Sequence, residues 1–453
     1  MVKFFRSAIE PDKYLIFDVE SGSLHIVDSV AFYIAKKRYN ALEKEEEHFL
    51  DNIPQNEVDE VNEELDALEK DGVLNTPEVK YNIPYTGEIK ALCLHICHDC
   101  NLRCPYCFAH SGTYNTPKDY MTFEVGKNAI DFLIEHSGIR RNLEVDFFGG
   151  EPLMNFDVVK QIVEYAHKAC EAKGKVINFT LTTNGLLLNE SAREWLNDNM
   201  ENVVISIDGR QEIHDKLRVT PNGSGSQAIT LKNAIEFRKI RGDKKYYIRG
   251  TFTANNLDFA EDVLYLNDKG FDQISVEPVV LDEKDPLAIT EKMLPQIFDE
   301  YDKLSREYVK RRKGDKWFNF FHYMIDLKNG PCVIKRLRGC GAGSEYVAVT
   351  PVGDIYPCHQ FVTDKEYLMG SVMDGTFNTD IQKKFFDVNV YSKENCSDCI
   401  AKYYCSGGCA ANALHFAGGL NKCHKLGCEL MKKRLTSSLD IYAAELEDWL
   451  NIF

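Results

Sequence analysis

No stretch of this 453-residue chain approaches the roughly 18 unbroken apolar residues that a membrane-spanning helix needs. It has no excess of basic charge either. Lys and Arg number 54 against 70 Asp and Glu, a net charge of −16, which argues against nucleic acid as a main partner. The first residues, Met1-Val-Lys-Phe-Phe-Arg, lack a signal-peptide layout, so a cytoplasmic location is expected. There is no internal repeat and no low-complexity tract. Cysteine, by contrast, is abundant. Fifteen cysteines in a reducing compartment read as metal ligands rather than a disulfide framework. They cluster at 93–107 and 332–428, and Cys170 lies between.

Two or three domains are expected at this length. Residues 1–80 read as a separate small module. Apolar strands at 13–17 and 23–27 flank a turn, a hairpin pattern. Over 57–70, Val58, Val61, Leu65 and Leu68 recur at spacings of three and four, one face of a helix. Between residues 41 and 70 stand twelve Asp or Glu and two Lys, either a solvated face or a surface that steers a basic peptide. Residues 75–89 carry two prolines, one glycine and no periodicity, and the linker is set at 81–90. Six candidate strands follow, at 91–98, 143–148, 176–183, 202–208, 246–252 and 273–279. Amphipathic stretches separate most of them; between the first two, Val125, Ala129, Phe132 and Leu133 share a face. This alternation predicts an α/β fold over 91–290, a partial (β/α)6 TIM-like barrel with its chemistry at the C-terminal strand ends. Residues 291–335 are expected to bridge to a last domain, 336–453, which holds the second cysteine cluster and a helix from 429.

The unusual polar motifs all fall at those strand ends. After the first strand comes Cys100-Asn-Leu-Arg-Cys104-Pro-Tyr106-Cys107. Three thiolates can hold three corners of a cubic iron–sulfur cluster and leave the fourth iron open for chemistry. Gly149-Gly150-Glu151-Pro152 follows the second strand, Thr183-Asn184-Gly185 ends the third, and Ser206-Ile-Asp208-Gly209 ends the fourth. Alone, the second of these also reads as a turn with proline at a helix start, and Arg218 reads either as a carboxylate partner or as a surface residue. Further on, Cys340, Gly353 and Cys358 form C-x12-G-x4-C, followed by Cys396-x2-Cys399-x5-Cys405-x3-Cys409 and then Cys428. On the 396–409 segment alone, zinc is a second reading.

Taken together, CxxxCxxC with Tyr106 before its last cysteine and a following GGEP resemble the radical S-adenosylmethionine (SAM) enzymes. The resemblance implies that Cys100, Cys104 and Cys107 hold a catalytic 4Fe-4S cluster. It implies that Gly149, Gly150, Glu151 and Pro152 hold the methionine amino group of SAM. Ser206 and Asp208 would meet ribose hydroxyls or the methionine end, Arg218 a carboxylate, and Tyr106, Thr183 and Asn184 would support the cofactor. The implied chemistry is reductive cleavage of SAM to a deoxyadenosyl radical that takes a hydrogen from substrate. The second cysteine set resembles a SPASM domain with two auxiliary 4Fe-4S clusters, three in all. Carried over by position, Cys396, Cys399, Cys405 and Cys428 hold the distal cluster, with Cys423 competing for the last place. Cys340, Cys358 and Cys409 hold the proximal one. Many relatives have a fourth proximal cysteine where Tyr346 stands, which implies an open iron unless Cys332 closes it. Cys93 and Cys97 read as buried packing residues.

Residues 1–80 resemble the winged-helix-like RiPP recognition element, which binds a leader peptide as an added strand. The three parts in this order resemble the maturases of six-cysteine SCIFF peptides, as do Pro331-Cys332-Val-Ile-Lys-Arg and Gly339-Cys340-Gly-Ala-Gly. That likeness implies a thioether between a Cys sulfur and a Thr carbon of a ribosomally made Cys-rich precursor, of the sactipeptide or ranthipeptide type. It also implies a reductant such as flavodoxin or ferredoxin and a low-oxygen setting. Formylglycine formation and carbon–carbon crosslinking are the alternatives within the family. Sulfatase-maturing members have an Asp base directly after the cysteine equivalent to Cys358; here that residue is His359.

Overall fold

The computed structural model describes residues 1–327 and 333–450. Cys332 therefore lies outside the described residues. The chain opens with an antiparallel sheet of β1 (Val2–Arg6), β2 (Tyr14–Asp18) and β3 (Leu24–Val27), with β2 in the middle. The predicted hairpin is β2–β3, in register Tyr14↔Val27; β1 carries no turn signal and was not foreseen. Helices α1 (Ser29–Arg38) and α2 (Gln55–Lys70) follow. Asp28 caps α1 by accepting from the Ala31 amide at 2.8 Å.

Strand β2 is buried on both faces. Ile16 packs with Phe32, Tyr33 and Leu65 inside the N-terminal unit. Phe17 and the following Val19 belong instead to an apolar cluster with Val390, Tyr403, Leu435 and Leu439, far along the chain. The N-terminal sheet thus shares a core with the cysteine-rich C-terminal region. Lys402 adds an ion pair to Glu78 at 3.2 Å and another to Glu20.

Residues 76–90 contain neither helix nor strand. Next come β4 (Ala91–Cys97), α3 (Phe123–His136), β5 (Asn142–Gly149), α4 (Phe156–Glu171), β6 (Val176–Thr183), α5 (Glu190–Asn199) and β7 (Asn202–Ser206). They are followed by α6 (Gln211–Leu217), α7 (Gln227–Arg241), β8 (Lys245–Phe252), α8 (Phe259–Asp268) and β9 (Gln273–Pro278). Strands β4 to β9 are neighbours in sequence order and all parallel, so the expected six-unit partial barrel is present. Alternation sets the faces. In β6, Ile177, Phe179 and Leu181 are buried in the core beneath the helices, while the intervening residues face the lumen.

The sheet extends beyond the six strands. After α9 (Leu294–Arg312), the short β10 (Asn319–Phe320) adds in parallel to β9. Helix α10 (Val333–Arg338) leads to β11 (Tyr346–Val349), which pairs in parallel with β4 on the other side. Strands β12 (Asp354–Tyr356), β13 (Gly370–Ser371) and β14 (Thr376–Phe377) continue that edge antiparallel. Four helices complete the chain: α11 (Thr379–Phe386), α12 (Lys402–Cys405), α13 (Ala410–Ala417) and α14 (Lys425–Leu450). Among the described residues no helix is long and apolar enough to cross a membrane.

An ion network clamps the β4–β11 seam. Glu345, nearly buried, accepts from Lys90 at 2.7 Å and from Arg140 at 3.0 Å, and Arg140 also pairs with Glu88 at 3.1 Å. These cations hold the Glu345 carboxyl below its usual range against the opposing effect of burial. A depressed acid stabilises the fold above its unfolded pKa and loses that contribution as pH falls through the folded value. Glu345→Gln should therefore cost about 1–3 kcal/mol in urea unfolding at pH 7, with the difference from wild type shrinking below about pH 4. A difference that is constant with pH would show that charge is not what Glu345 supplies.

Candidate active site

The parallel pairing of β4 with β5 lays the Cys100–Cys107 loop directly on Gly149-Gly150-Glu151. The Gly150 amide donates to Cys97 O and the Glu151 amide to Asp99 O, each at 2.9 Å. A Cβ on Gly150 would sit 1.9 Å from Asp99 O, and one on Gly149, at φ +116°, would sit 2.5 Å from Cys97 O. The close approach that demands glycine here is thus between two protein segments. Asp99, which the sequence reading missed, fixes the loop from the other side: its carboxylate accepts from the Cys100 amide at 2.9 Å and pairs with Lys118 at 2.9 Å. Its position next to a motif cysteine was the available signal.

Cys100, Cys104 and Cys107 stand within electrostatic reach of one another. Burial pushes the Cys100 thiol up to about 12, with Glu151 adding to the rise, and burial pushes Cys104 up to about 11. Such thiols stay protonated at neutral pH until a metal takes them as thiolates, so loading releases protons. Asn184 Nδ2 stands 3.6 Å from Cys100 Sγ and donates to Asn101 Oδ1 at 2.7 Å.

Glu151 is fully buried. It accepts from the Thr183 hydroxyl at 2.8 Å, the Asn184 amide at 2.7 Å and the Leu153 amide at 3.1 Å. Burial still dominates, raising its pKa to about 7. Three acceptor positions are used out of about four, which leaves room for one more donor. Pro152 begins the short turn of helix that follows.

Asp208 and Arg218 are brought together, but with each other. Arg218 Nε lies 3.0 Å from Asp208 Oδ1, Tyr106 donates to Asp208 Oδ2 at 2.7 Å, and the Thr251 amide donates to Oδ1 at 2.9 Å. The guanidinium lies over the Tyr106 ring, 5.6 Å from its centroid, and its charge acts on Cys104. Arg218 is thus the internal partner of a carboxylate rather than a surface residue. Asp208 spends its acceptors on the protein, so it orients Tyr106 and Arg218 beneath the cysteine loop. Ser206 sits beside Arg249 of β8.

The other cysteines form two groups. Cys340, Cys358 and Cys409 neighbour one another electrostatically; Cys340 and Cys409 are exposed and Cys358 is buried. Tyr346 lies beside Cys93, near Cys358. The residue after Cys358 ties this group to the barrel: the His359 ring stacks on Phe148 at 5.1 Å and meets Phe108 at 5.2 Å. Phe148 precedes Gly149 and Phe108 follows Cys107.

The second group lines a cavity of about 710 Å³ that includes Cys396, Cys399, Cys405, Cys423 and Cys428 together with Glu277 and Arg434. Cys423, set second to Cys428 because the family's last cysteine begins a helix, is inside it, 3.8 Å from Cys396 and acting on Cys428 as well. Helix α14 begins at Lys425, so Cys428 sits in its first turn rather than starting it. Among the described residues no three His, Cys, Asp or Glu side chains converge tightly enough to hold a single metal ion. The donor set is all sulfur, the ligand type that iron–sulfur clusters take. Cys93 and Cys97 are buried, and Cys97 Sγ donates to Glu151 O at 3.1 Å.

Gly150→Ala should lower unfolding free energy by about 3 kcal/mol because the contact is with backbone that cannot move aside. Gly174→Ala, at φ +67° in open space, should cost only about 1 kcal/mol. Equal losses in denaturant titrations would mean that backbone strain, not the contact with Asp99, explains Gly150.

Comparison with known proteins agrees with this arrangement. Residues 87–231 match the family model described as a 4Fe-4S single cluster domain. The chain is 32% identical over 277 residues to the uncharacterized protein MJ0907 of Methanocaldococcus jannaschii, covering 60% of this chain and 85% of that one. It is 27% identical to the cysteine-type anaerobic sulfatase-maturating enzyme of Clostridium novyi, covering 74% of this chain and 91% of the relative. The fold is that of the solved structure of histidine-tagged anSMEcpe with bound AdoMet, with a TM-score of 0.65 at 20% identity over 81% of this chain and 95% of that one. With its three-cysteine loop, its glycine-rich partner segment and its second set of thiols, this chain belongs to the radical SAM/SPASM-type maturase family, enzymes that modify peptides or proteins.

Proposed function

We propose that this enzyme installs a thioether between a Cys sulfur and a Thr carbon of a ribosomally made, Cys-rich peptide. The observation that carries the reading is the placement of Cys340, Cys358 and Cys409 across the aromatic pair Phe108 and Phe148 from the Cys100–Cys107 loop. In this reading the proximal site has three cysteines with Tyr346 in the fourth position, and unless Cys332, outside the described residues, closes it, a substrate thiol would take the open place. A 4Fe-4S cluster with SAM supplies, when bound, a deoxyadenosyl radical that takes a hydrogen atom.

The chain's own residues do the rest in this reading. Cys100, Cys104 and Cys107 hold the catalytic cluster, and the remaining lone pair of Glu151 meets the methionine ammonium. Cys340, Cys358 and Cys409 would hold a proximal cluster, and four of Cys396, Cys399, Cys405, Cys423 and Cys428 a distal one, three clusters in total. Forming the thioether breaks one S–H and one C–H bond. One hydrogen atom leaves with deoxyadenosine, and a proton and an electron remain. A cluster held by Cys340, Cys358 and Cys409 would supply the acceptor for that electron, and a reductant such as flavodoxin or ferredoxin would supply the catalytic site. His359 is held down to about 4 by burial and by Arg249, so it is neutral at pH 7. The sulfatase-maturating relative supports a second reading, formylglycine formation, to which the family resemblance assigns an Asp base where this chain has His359.

Residues 1–80 serve here as the leader-binding element, the leader adding to the open edge of β3. Because Phe17 and Val19 share a core with Leu435 and Leu439, deleting this unit would also disturb the cavity thiols. Leader removal from the peptide is the cleaner test. The leaderless peptide should bind at least tenfold more weakly while deoxyadenosine release continues; equal binding would end the leader assignment.

The reaction itself is tested by anaerobic mass spectrometry of a Cys-rich precursor with enzyme, reductant and SAM. The expected product has lost two hydrogens and one alkylatable thiol. Cys104→Ala should abolish deoxyadenosine release. Cys409→Ala should retain that release and lose crosslinking. Normal crosslinking by Cys409→Ala would refute a substrate thiol at the proximal site, and an unchanged thiol count would favour another modification.

A further inference from the structure

One cation in the barrel mouth has no partner in the arrangement above. Arg249 lies on the lumen face of β8. Its neighbours Tyr246 and Ile248 point outward, Tyr246 reaching Asp272 at 2.6 Å and lying under the Arg238 guanidinium of α7. By register Arg249 stands between Ser206 of β7 and Ser275 of β9. It is exposed, unlike the residues on either side of it.

The acid that would neutralise it is already engaged. Glu277 of β9 has the His322 ring 3.3 Å from one carboxylate oxygen and the Arg434 guanidinium 3.4 Å from the other. Burial and the nearby cations leave His322 neutral, so Arg434 is the counter-ion of Glu277. Arg249 acts on Glu277, His322 and His359 only at longer range. No described group accepts a hydrogen bond from its guanidinium or forms an ion pair with it. In a chain of net charge −16, an open guanidinium on the lumen wall is a local reversal of sign. It lies one strand from Asp208, and its charge reaches His359. Tyr247, on the same face, meets the exposed Phe321 ring at 5.7 Å, so the cation has an apolar shelf beside it.

We infer that Arg249 binds a carboxylate presented in the barrel mouth. A planar guanidinium with free donors pairs with a carboxylate in a bidentate geometry that no neighbouring lysine could reproduce. Two ligands carry that chemistry: an acidic residue of the peptide in the peptide-modifying reading, and SAM through its methionyl end. The peptide source rests on that reading, and the SAM source does not.

The test uses the cluster-loaded enzyme, with Arg249→Met and Arg249→Lys beside wild type. Equilibrium binding is measured for SAM and for two synthetic Cys-rich peptides identical except for Asp or Asn beside the Thr to be crosslinked. If the peptide supplies the carboxylate, wild type prefers the Asp peptide by about tenfold, Arg249→Met loses the preference and Arg249→Lys keeps part of it. If SAM supplies it, Arg249→Met weakens SAM binding about tenfold and treats the two peptides as wild type does. Unchanged binding of all three ligands by a variant with wild-type melting temperature overturns the inference. Wild type that modifies neither peptide counts against the peptide-modifying reading, while the SAM measurement still decides the role of Arg249.

Discussion

The contact on which the site depends is the backbone approach of Gly149-Gly150 to Cys97–Asp99. Two adjacent parallel strands end at the same level, and the segments leaving them must pass each other at hydrogen-bond distance. The 2.9 Å bonds from the Gly150 and Glu151 amides fix the start of the cysteine loop to the start of the Glu151 turn. Glu151 then fixes Thr183 and Asn184 of the third strand, and Asn184 returns to Asn101 and Cys100. The result is a closed ring of contacts that includes Cys100, built from three consecutive strand ends. A side chain at residue 150 would open the ring at its tightest point.

A second constraint is electrostatic. The thiols and Glu151 are held where their charged forms are costly, with the Cys100 thiol near 12 and the Glu151 carboxyl near 7. A bound cation changes that balance, because it favours thiolate and carboxylate together. The site is thus better matched to a charged, metal-containing occupant than to being empty. Asp208, Arg218 and Tyr106 form the opposite case: acid, base and hydroxyl satisfy one another internally and act as a rigid floor.

Much of this was legible in the sequence. Each of the six barrel strands was found within two residues, because apolar alternation and strand-end polar motifs point the same way in parallel α/β folds. The spacing of Cys100, Cys104 and Cys107 announced a cluster loop. What the sequence could not display were partnerships between distant residues. Nothing local to Asp208 or Arg218 says that they satisfy each other. Sequence alone left Cys423 and Cys428 competing for one place, and the turn before α14 brings both into the cavity. The two-sided burial of β2 was hidden as well, because four apolar or aromatic residues in a row, Tyr14 to Phe17, read alike whether one face is covered or two. β11 was missed as a neighbour of β4 for a similar reason: parallel pairing between segments so far apart along the chain leaves no trace in either one.

The C-terminal helix explains how these separate parts hold register. Within α14, Cys428 lines the thiol cavity and Arg434 reaches Tyr301 of α9 at 2.8 Å and Glu277 of the barrel at 3.4 Å. Leu435 and Leu439 enter the core shared with Phe17 of the N-terminal sheet, and Asp440 accepts from the Ala8 amide at 2.8 Å and the Ile9 amide at 3.1 Å. Helical rise places these contacts at fixed separations along one rigid rod. Cavity, barrel mouth and N-terminal unit therefore cannot shift independently without breaking contacts on α14. In the thioether reading proposed above, a peptide held by the first of the chain's folded units would be presented at a constant distance from thiols contributed by the last, which that chemistry would need for a radical and a sulfur to meet at one carbon.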